Sequence, residues 1–264
     1  MASECIRTEK RGRVAIVRFD RGDGRNALSQ RALSDLIEAA RQFEDDTETS
    51  AVILAGHARS FSVGYDLKEV KGVDPRATGL AELRRIASLG PRACAAWEAI
   101  EPFTLCAIEG WCLGGGVALA VSLDFRVAAA TAQFAVPEIK LGMNMSWQSL
   151  PRIVNLVGPA RAKEICIWAE TLPAATAREY GLIEETVPEG KALERALAIA
   201  ERIAAMPPVA VRMIKQGVNA YATALAKTAS AMDLDQFALA QTGADFAEGL
   251  NAFLEKRPGK FTGR

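Results

Sequence analysis

The stretch Gly110-Trp111-Cys112-Leu113-Gly114-Gly115-Gly116-Val117-Ala118-Leu119-Ala120 places three consecutive glycines between a predicted strand and a predicted helix. The strand is Thr104–Ile108, and the helix is the alanine-rich segment after the glycines. Glycines at such a junction let another backbone or a ligand come close, and they leave first-turn N–H groups free to bind an anion. The nucleotide patterns GxGxxG and GK(S/T) are absent here. A tight turn with close helix–strand packing is the alternative interpretation.

Short apolar runs on both sides of this stretch predict further strands that alternate with helical patterns, which is typical of an α/β core. The strands are Val14–Phe19 and Ala51–Ala55, with weaker candidates at Phe125–Ala129 and Ile183–Val187, and one long helix is predicted over Leu80–Ile100. After about residue 190 only helical patterns follow, over Leu193–Ile203, Val209–Tyr221 and Leu225–Leu239. We therefore predict an α/β core over residues 1–190 and an all-helical C-terminal region over residues 191–264 that packs against it.

Composition excludes several classes of function. The 264 residues have a formal net charge of zero, which argues against an electrostatically driven nucleic-acid binder. The single histidine, His57, excludes multi-histidine metal sites, and a Ser-His-Asp triad would have to use it. Five cysteines without a CxxC pair favour a reduced, cytoplasmic compartment, and no long apolar run predicts a membrane span. We expect no metal and no nucleic-acid or membrane partner, so acid–base chemistry falls to carboxylates.

Two further segments combine polar residues with predicted helix starts. Ser60–Leu67 is a polar loop that contains Gly64 and leads into a helix, which offers a second set of free N–H donors. Arg25–Leu28 precedes another helix. Each segment has a plain structural alternative as a capped helix start, with Asn26 or Ser29 as the cap of the second.

A carboxylate lies in an apolar setting in the segment Phe134–Gly142. Glu138 is surrounded there by apolar residues, where a carboxylate must pair, reach solvent or serve chemistry. Pairing with Lys140 or an arginine is the structural alternative.

The order and spacing of these segments closely resemble the enoyl-CoA hydratase/isomerase family, also called the crotonase superfamily. The matching segments are Asn26–Leu28, Phe61–Leu67, Glu109–Gly116 and Gln133–Glu138, with a closing segment at Ala252–Arg257. The resemblance implies a crotonase-like spiral of repeated ββα units with an all-helical C-terminal region, assembled as a homotrimer or a dimer of trimers. It also implies an acyl-CoA thioester substrate, with coenzyme A as part of that substrate and no permanently bound cofactor.

The resemblance also implies roles for particular residues. Family members stabilise a thioester enolate with two backbone N–H groups, which here would belong to Tyr65 and Gly115. Loss of one such fixed donor typically costs about 10²–10³ in rate. Residues implied in binding coenzyme A are Arg25, Ala27, Leu28, Ser62, Gly64, Asp66, Gly114 and Lys256. Residues implied in the acyl pocket are Trp111, Ala118, Phe134 and Trp147.

The reaction depends on carboxylates. Hydratases of the family hold one water between two glutamates, of which the second matches Glu138 and the first matches Ala118, whose methyl group cannot move a proton. Met145–Ser149 replaces a glycine-rich stretch common in hydratases, so Trp147 adds bulk near the acyl chain. Isomerases of the family tolerate an apolar residue at the first position, and burial raises a glutamate's pKa towards the working pH. We therefore expect Glu138 to carry single-glutamate proton transfer on an enoyl-CoA, as in a Δ3-to-Δ2 isomerisation.

Three alternatives stay open for the reaction. Hydration of a 2-enoyl-CoA would persist if Ser146 or Gln148 helps to place the water. Trp111, Trp147 and Phe134 could instead shape a pocket for an aromatic or alicyclic acyl group that undergoes another reaction of the family. A non-catalytic acyl-CoA-binding protein would share every fold-level feature.

Overall fold

The computed structural model describes residues 5–72 and 77–264, which form two β-sheets surrounded by helices. The strands are β1 (Ile6–Arg11), β2 (Val14–Phe19), β3 (Ala51–Ala55), β4 (Ser60–Ser62), β5 (Phe103–Ile108), β6 (Trp111–Leu113), β7 (Phe125–Ala129), β8 (Gln133–Ala135), β9 (Leu172–Pro173) and β10 (Glu185–Val187). The helices are α1 (Gln30–Arg41), α2 (Leu67–Gly72), α3 (Leu80–Ala87), α4 (Leu89–Glu98), α5 (Gly115–Ala120), α6 (Ser149–Lys163), α7 (Ala174–Tyr180), α8 (Ala192–Ala204), α9 (Pro208–Ala222), α10 (Ala226–Ala229), α11 (Asp233–Thr242) and α12 (Ala244–Glu255). A 3-10 turn at Glu138–Leu141 and a π-helical turn at Glu164–Trp168 complete them.

The two sheets arise from one repeated unit. The larger sheet has the order β1-β2-β3-β5-β7-β10 and the smaller one β4-β6-β8-β9. The strand pairs β3/β4, β5/β6 and β7/β8 each send the first strand to the larger sheet and the second to the smaller one, and neighbouring strands from successive units run parallel. Parallel neighbours need a crossover connection, and the segments after β4, β6 and β8 provide it. The predicted α/β fold of repeated ββα units is confirmed.

The core explains why the central strands were visible as apolar runs. All five residues of β3 are buried, because helices cover both faces of the larger sheet. One face packs with α1 and α4 in the main hydrophobic cluster, and the other is covered by Ala192, Ala196 and Ala200 of α8. The first helix after residue 190 therefore belongs to the same core as the strands. The division into two regions at that point stays an interpretation.

Two predicted helices are each divided in the structure. The prediction of a single helix over Leu80–Ile100 is wrong, because α3 ends at Ala87 and α4 begins at Leu89. Pro91 has no N–H to continue a helix and lies in the first turn of the new one. The helix expected over Leu225–Leu239 is likewise split into α10 and α11. No helix among the described residues has the length and apolar character needed to cross a membrane.

Candidate active site

The glycine stretch connects β6 to α5 and packs directly on the loop after β4. Gly114 has φ +48° and ψ −115°, and its N–H donates to the Ala135 carbonyl at 2.8 Å. Gly64, with φ +87°, lies so close that a Cβ built on it would be 2.8 Å from Leu113 O and 3.3 Å from Gly115 N. Both positions require glycine, because other residues rarely adopt these φ values. The two loops therefore lie backbone against backbone.

This contact brings the two predicted oxyanion donors together. Tyr65 follows Gly64, and Gly115 is the first residue of α5. Within the described part of the chain, the N–H groups of Tyr65 and Gly115 donate to no protein acceptor. Free N–H groups on two adjoining loops suit an oxyanion, and the role itself stays a prediction. Burial, reinforced by nearby carboxylates including Glu69, raises the pKa of the Tyr65 hydroxyl to about 12, so the ring stays neutral.

Asn26 ties the segment before α1 to the same loop. Its buried side chain donates to Phe19 O at 2.6 Å and Phe61 O at 3.3 Å, and it accepts the Arg21 N–H at 2.9 Å. The backbone of Asn26 holds φ +51°. Of the two residues proposed as cap of α1, Ser29 is the one whose hydroxyl accepts a first-turn N–H. Asn26 is therefore a structural strap between β2 and β4.

The segment expected to meet coenzyme A is held by hydrogen bonds to its neighbours. The Leu28 N–H donates to Gly64 O at 2.8 Å, and Leu28 O accepts the Asp66 N–H at 3.2 Å. The Arg21 guanidinium donates to Ala27 O at 2.8 Å and to the Asp66 carboxylate at 3.0 Å. Arg21 is a member of this cluster that sequence reasoning missed. The contacts of Ala27, Leu28 and Asp66 with coenzyme A stay predictions.

The other residues predicted to contact coenzyme A differ in exposure. Ser62 is buried, and its hydroxyl donates to Asn26 O at 2.7 Å and accepts the Gly64 N–H at 3.1 Å. Ser62 therefore supports the loop structure. Arg25 and Lys256 are exposed, and Lys256 ends α12 with φ +54°. Both cations face solvent, where they are accessible to a phosphate.

Glu138 opens the 3-10 turn after β8 and directs its carboxylate against Gly114. A Cβ on Gly114 would be 2.4 Å from Glu138 Oε1 and 3.6 Å from Oε2. The Oε2 atom is buried and has no hydrogen-bond partner. Burial raises the pKa of the carboxyl group to about 7. The alternative pairing with Lys140 is absent, since Lys140 Nζ donates to Ala169 O at 2.6 Å instead.

The turn that carries Glu138 is held by α12. A Cβ on Gly142 would be 2.6 Å from Asp245 O, and one on Gly249 would be 2.5 Å from the Leu141 carbonyl carbon. The C-terminal region therefore fixes the position of the candidate acid–base group.

The half-buried Cys166 thiol on the π-helical turn is a titratable neighbour of Glu138. Burial, with that carboxylate adding to the effect, raises the thiol's pKa to about 12, so Cys166 stays neutral.

The structure places the predicted pocket residues in three different settings. Ala118 is fully buried in α5 within the main apolar cluster. Its methyl group occupies the position of the first glutamate of the hydratases. Phe134 is also buried and pairs with Cys112 across β6 and β8. Trp111 is 44% exposed at the start of β6. Trp147 packs against the main cluster, and its ring lies edge-to-face with Tyr65 at 6.2 Å between centroids.

The single histidine and the cysteine within the glycine stretch both serve the fold. The His57 Nδ1 atom accepts the Arg59 N–H at 2.9 Å in the loop between β3 and β4. Burial raises the pKa of the Cys112 thiol well above its usual range, which makes it unreactive. Within residues 5–72 and 77–264, no three His, Cys, Asp or Glu side chains cluster in a way that could hold a metal ion.

A spiral of ββα units, with free N–H groups on adjoining loops beside a buried carboxylate, defines the crotonase class of acyl-CoA-processing enzymes. The chain matches the family model for enoyl-CoA hydratase/isomerase over residues 9–264. It is 33% identical over 264 residues to a probable enoyl-CoA hydratase of Mycobacterium bovis, covering 100% of both chains. It is 32% identical over 250 residues to a short-chain-enoyl-CoA hydratase of Clostridium acetobutylicum, covering 94% of each. The crystal structure of a carnitinyl-CoA hydratase from Mycobacterium avium superposes with a TM-score of 0.87 at 31% identity, covering 100% of both chains. The chain therefore belongs to the enoyl-CoA hydratase/isomerase family.

Proposed function

We propose that this enzyme moves the double bond of an enoyl-CoA from the Δ3 to the Δ2 position, with Glu138 as the only proton carrier. The observation that carries the proposal is the buried Glu138 carboxylate, which has an unpartnered Oε2 and a pKa raised to about 7. Such a group is half ionised near neutral pH and can both accept and return a proton. Ala118 leaves no second side chain to hold a water in the manner of the two-glutamate hydratases.

In this mechanism the thioester oxygen accepts hydrogen bonds from the Tyr65 and Gly115 N–H groups. Glu138 removes a proton from C2 of the 3-enoyl group, and the electron pair of that C–H bond delocalises into a dienolate whose oxyanion the two donors stabilise. Protonated Glu138 then returns the proton to C4. A C4–H bond forms, the double bond moves to C2–C3, and Glu138 is again a carboxylate.

Hydration of a 2-enoyl-CoA is the second candidate, favoured by the hydratase names of the relatives. It needs another group beside Glu138 to place the water. Ser146 is buried in the segment after the Glu138 turn, and Gln148 follows it closely. A non-catalytic acyl-CoA-binding protein is the third candidate, and only turnover separates it from the other two.

The decisive experiment compares 3-enoyl-CoA and trans-2-enoyl-CoA as substrates over several chain lengths. We expect the 3-enoyl substrate to give the 2-enoyl product, and Glu138→Gln to abolish the reaction. Glu189→Gln is the matched control, because Glu189 is exposed. Turnover of the 2-enoyl substrate alone, to a 3-hydroxyacyl product, would make the hydratase interpretation correct. Activity that survives Glu138→Gln would refute the site assignment.

Ala118→Glu tests the same proposal from the other direction. The substitution restores the second carboxylate of the hydratases. We expect little gain in hydration, because Ala118 is fully buried in the main apolar cluster. A strong gain would show that the pocket still holds a water between the introduced carboxylate and Glu138. It would favour hydration over isomerisation as the reaction of this enzyme.

Coenzyme A recognition, assembly and location complete the proposal. The exposed cations Arg25 and Lys256 would meet the phosphates of the nucleotide. A homotrimer or a dimer of trimers is supported by the apolar exposed face of α9, where Met213 is 66% and Tyr221 88% exposed, since large apolar patches typically mark interaction surfaces. A cytoplasmic location is supported by Cys94, Cys106, Cys112 and Cys166, which form no disulfide. Sedimentation analysis measures the assembly directly.

A further inference from the structure

The indole of Trp147 fills the space between α4 and α5 beside the proposed oxyanion donors. A Cβ built on Gly90 of α4 would be 2.0 Å from the indole, and one on Gly115 of α5 would be 2.7 Å from it. The ring also contacts Tyr65 in an edge-to-face arrangement. Trp147 therefore touches both residues whose N–H groups would bind the thioester oxygen, and the absence of a side chain at Gly90 makes room for it.

The indole is held in this position by its backbone. Trp147 and Gln148 both lie in the left-handed region, with φ +61° and +57°, which non-glycine residues adopt only when their surroundings impose it. The Asp233 carboxylate at the start of α11 accepts the Gln148 N–H at 2.9 Å. The strained turn is therefore bound by a side chain from the C-terminal region.

A second side chain holds the opposite face of the turn. The Arg152 guanidinium donates to Trp147 O at 3.3 Å and to Gln148 O at 2.9 Å. The same guanidinium pairs with both oxygens of Glu98 in α4, at 2.7 and 2.8 Å. Glu98 and Gly90 both belong to α4, so Arg152 ties the Trp147 turn to the helix against which the indole packs.

We propose that Trp147 is the end wall of the acyl site and restricts this enzyme to short-chain acyl-CoA thioesters, with Asp233 as its positioning residue. The proposal rests on the proposed acyl-CoA site at Tyr65 and Gly115. An acyl chain whose carbonyl binds there meets the indole soon after its reacting carbons. A methylene that does not fit a closed apolar pocket typically costs about 10–200-fold in discrimination.

The test measures dissociation constants of saturated acyl-CoA thioesters by isothermal titration calorimetry, with free coenzyme A as the baseline. Saturated thioesters do not react, so the result is independent of the reaction catalysed. For the wild type we expect butyryl-CoA to bind more tightly than octanoyl-CoA by at least about tenfold. For Trp147→Ala we expect octanoyl-CoA to gain at least about tenfold, while free coenzyme A is unchanged.

Further variants separate the effect of the Trp147 indole from a general loss of stability. Trp168→Ala removes an indole that is 64% exposed and should leave the chain-length profile unchanged. Trp147→Phe retains a ring for the case in which the alanine variant does not fold, and should give an intermediate profile. Asp233→Ala should shift the profile in the same direction as Trp147→Ala, and the double variant should add nothing further, because Asp233 acts through Trp147. A general loss of stability would weaken all ligands equally and would not change their order.

The outcomes separate this inference from the proposed function. Equal binding of butyryl-CoA and octanoyl-CoA by the wild type, or an unchanged profile in Trp147→Ala, overturns the end wall. A short-chain limit in an enzyme that does not isomerise 3-enoyl-CoA supports the end wall and refutes the proposed reaction. No acyl-CoA binding above that of free coenzyme A refutes both.

Discussion

The buried carboxylate of Glu138 should make the stability of the protein depend on pH in a defined window. The perturbation is Glu138→Gln, which replaces a titrating group by a neutral one of the same shape. Burial raises the pKa of Glu138 from 4.5 to about 7 in the folded protein. Between these two values the folded state holds more protons than the unfolded state. The free energy of unfolding therefore falls as pH rises through the window.

The size of the effect follows from the two pKa values. A shift from 4.5 to about 7 at about 1.4 kcal/mol per pH unit corresponds to about 3 kcal/mol. The stability of the wild type relative to Glu138→Gln should thus be highest below pH 4.5. It should decline by about 3 kcal/mol by pH 7 and stay level above that. The neighbouring thiol of Cys166 is neutral throughout this window, since its pKa is raised to about 12.

The assay is denaturant unfolding of both proteins at a fixed protomer concentration over this pH range, read as the difference in free energy of unfolding. The difference cancels every other titrating group. Glu189→Gln, at an exposed position, is the control and should run parallel to the wild type. A difference between wild type and Glu138→Gln that does not change with pH would refute the reasoning, because it would mean that the carboxylate is solvated. A difference that grows as pH rises would refute it as well, because it would mean that the carboxylate is paired with a cation.

The remaining predictions concern catalysis and the loops. Turnover of 3-enoyl-CoA should rise with pH and level off above about 7, because Glu138 accepts a proton only as a carboxylate, and a profile of kcat/KM that does not change with pH would contradict this. Gly114→Ala should lower kcat by about 10²-fold, since the new methyl group would lie 2.4 Å from Glu138 Oε1 and displace the carboxylate. Steady-state kinetics measure the effect. Asn26→Ala should lower the free energy of unfolding by about 2–4 kcal/mol in denaturant titrations, because it leaves Phe19 O and Phe61 O without their donor. A loss below about 0.5 kcal/mol would mean that Asn26 is not a strap.

The strands and the glycine loop were predictable because their information is local. A strand buried on both faces, such as Ala51–Ala55, must be an apolar run, whatever it pairs with. The three glycines at 114–116 likewise indicate, at their own positions, that another part of the backbone packs closely against them. The family resemblance added which loops meet, and the structure has them in direct contact.

The interactions that hold the site together were not predictable, because they join residues far apart in the chain. The hydrogen bond from Gln148 to Asp233 spans 85 positions, and no local pattern marks either partner. The strap made by Asn26 looked like a helix cap, because the same residue type serves both purposes. The left-handed backbone at Trp147 contradicts the preference of its residue type and is imposed by tertiary contacts.

The packing of α12 on the Glu138 turn has a consequence for the order of synthesis. Gly249 lies against Leu141, and the Gly142 backbone lies against Asp245. A ribosome-bound chain that has emerged only as far as α11 contains both sheets, both loops and Glu138 itself. It lacks the helix that packs against the turn carrying Glu138. Such a nascent chain should fold its core while remaining without activity, so that proton transfer begins only when translation is nearly complete.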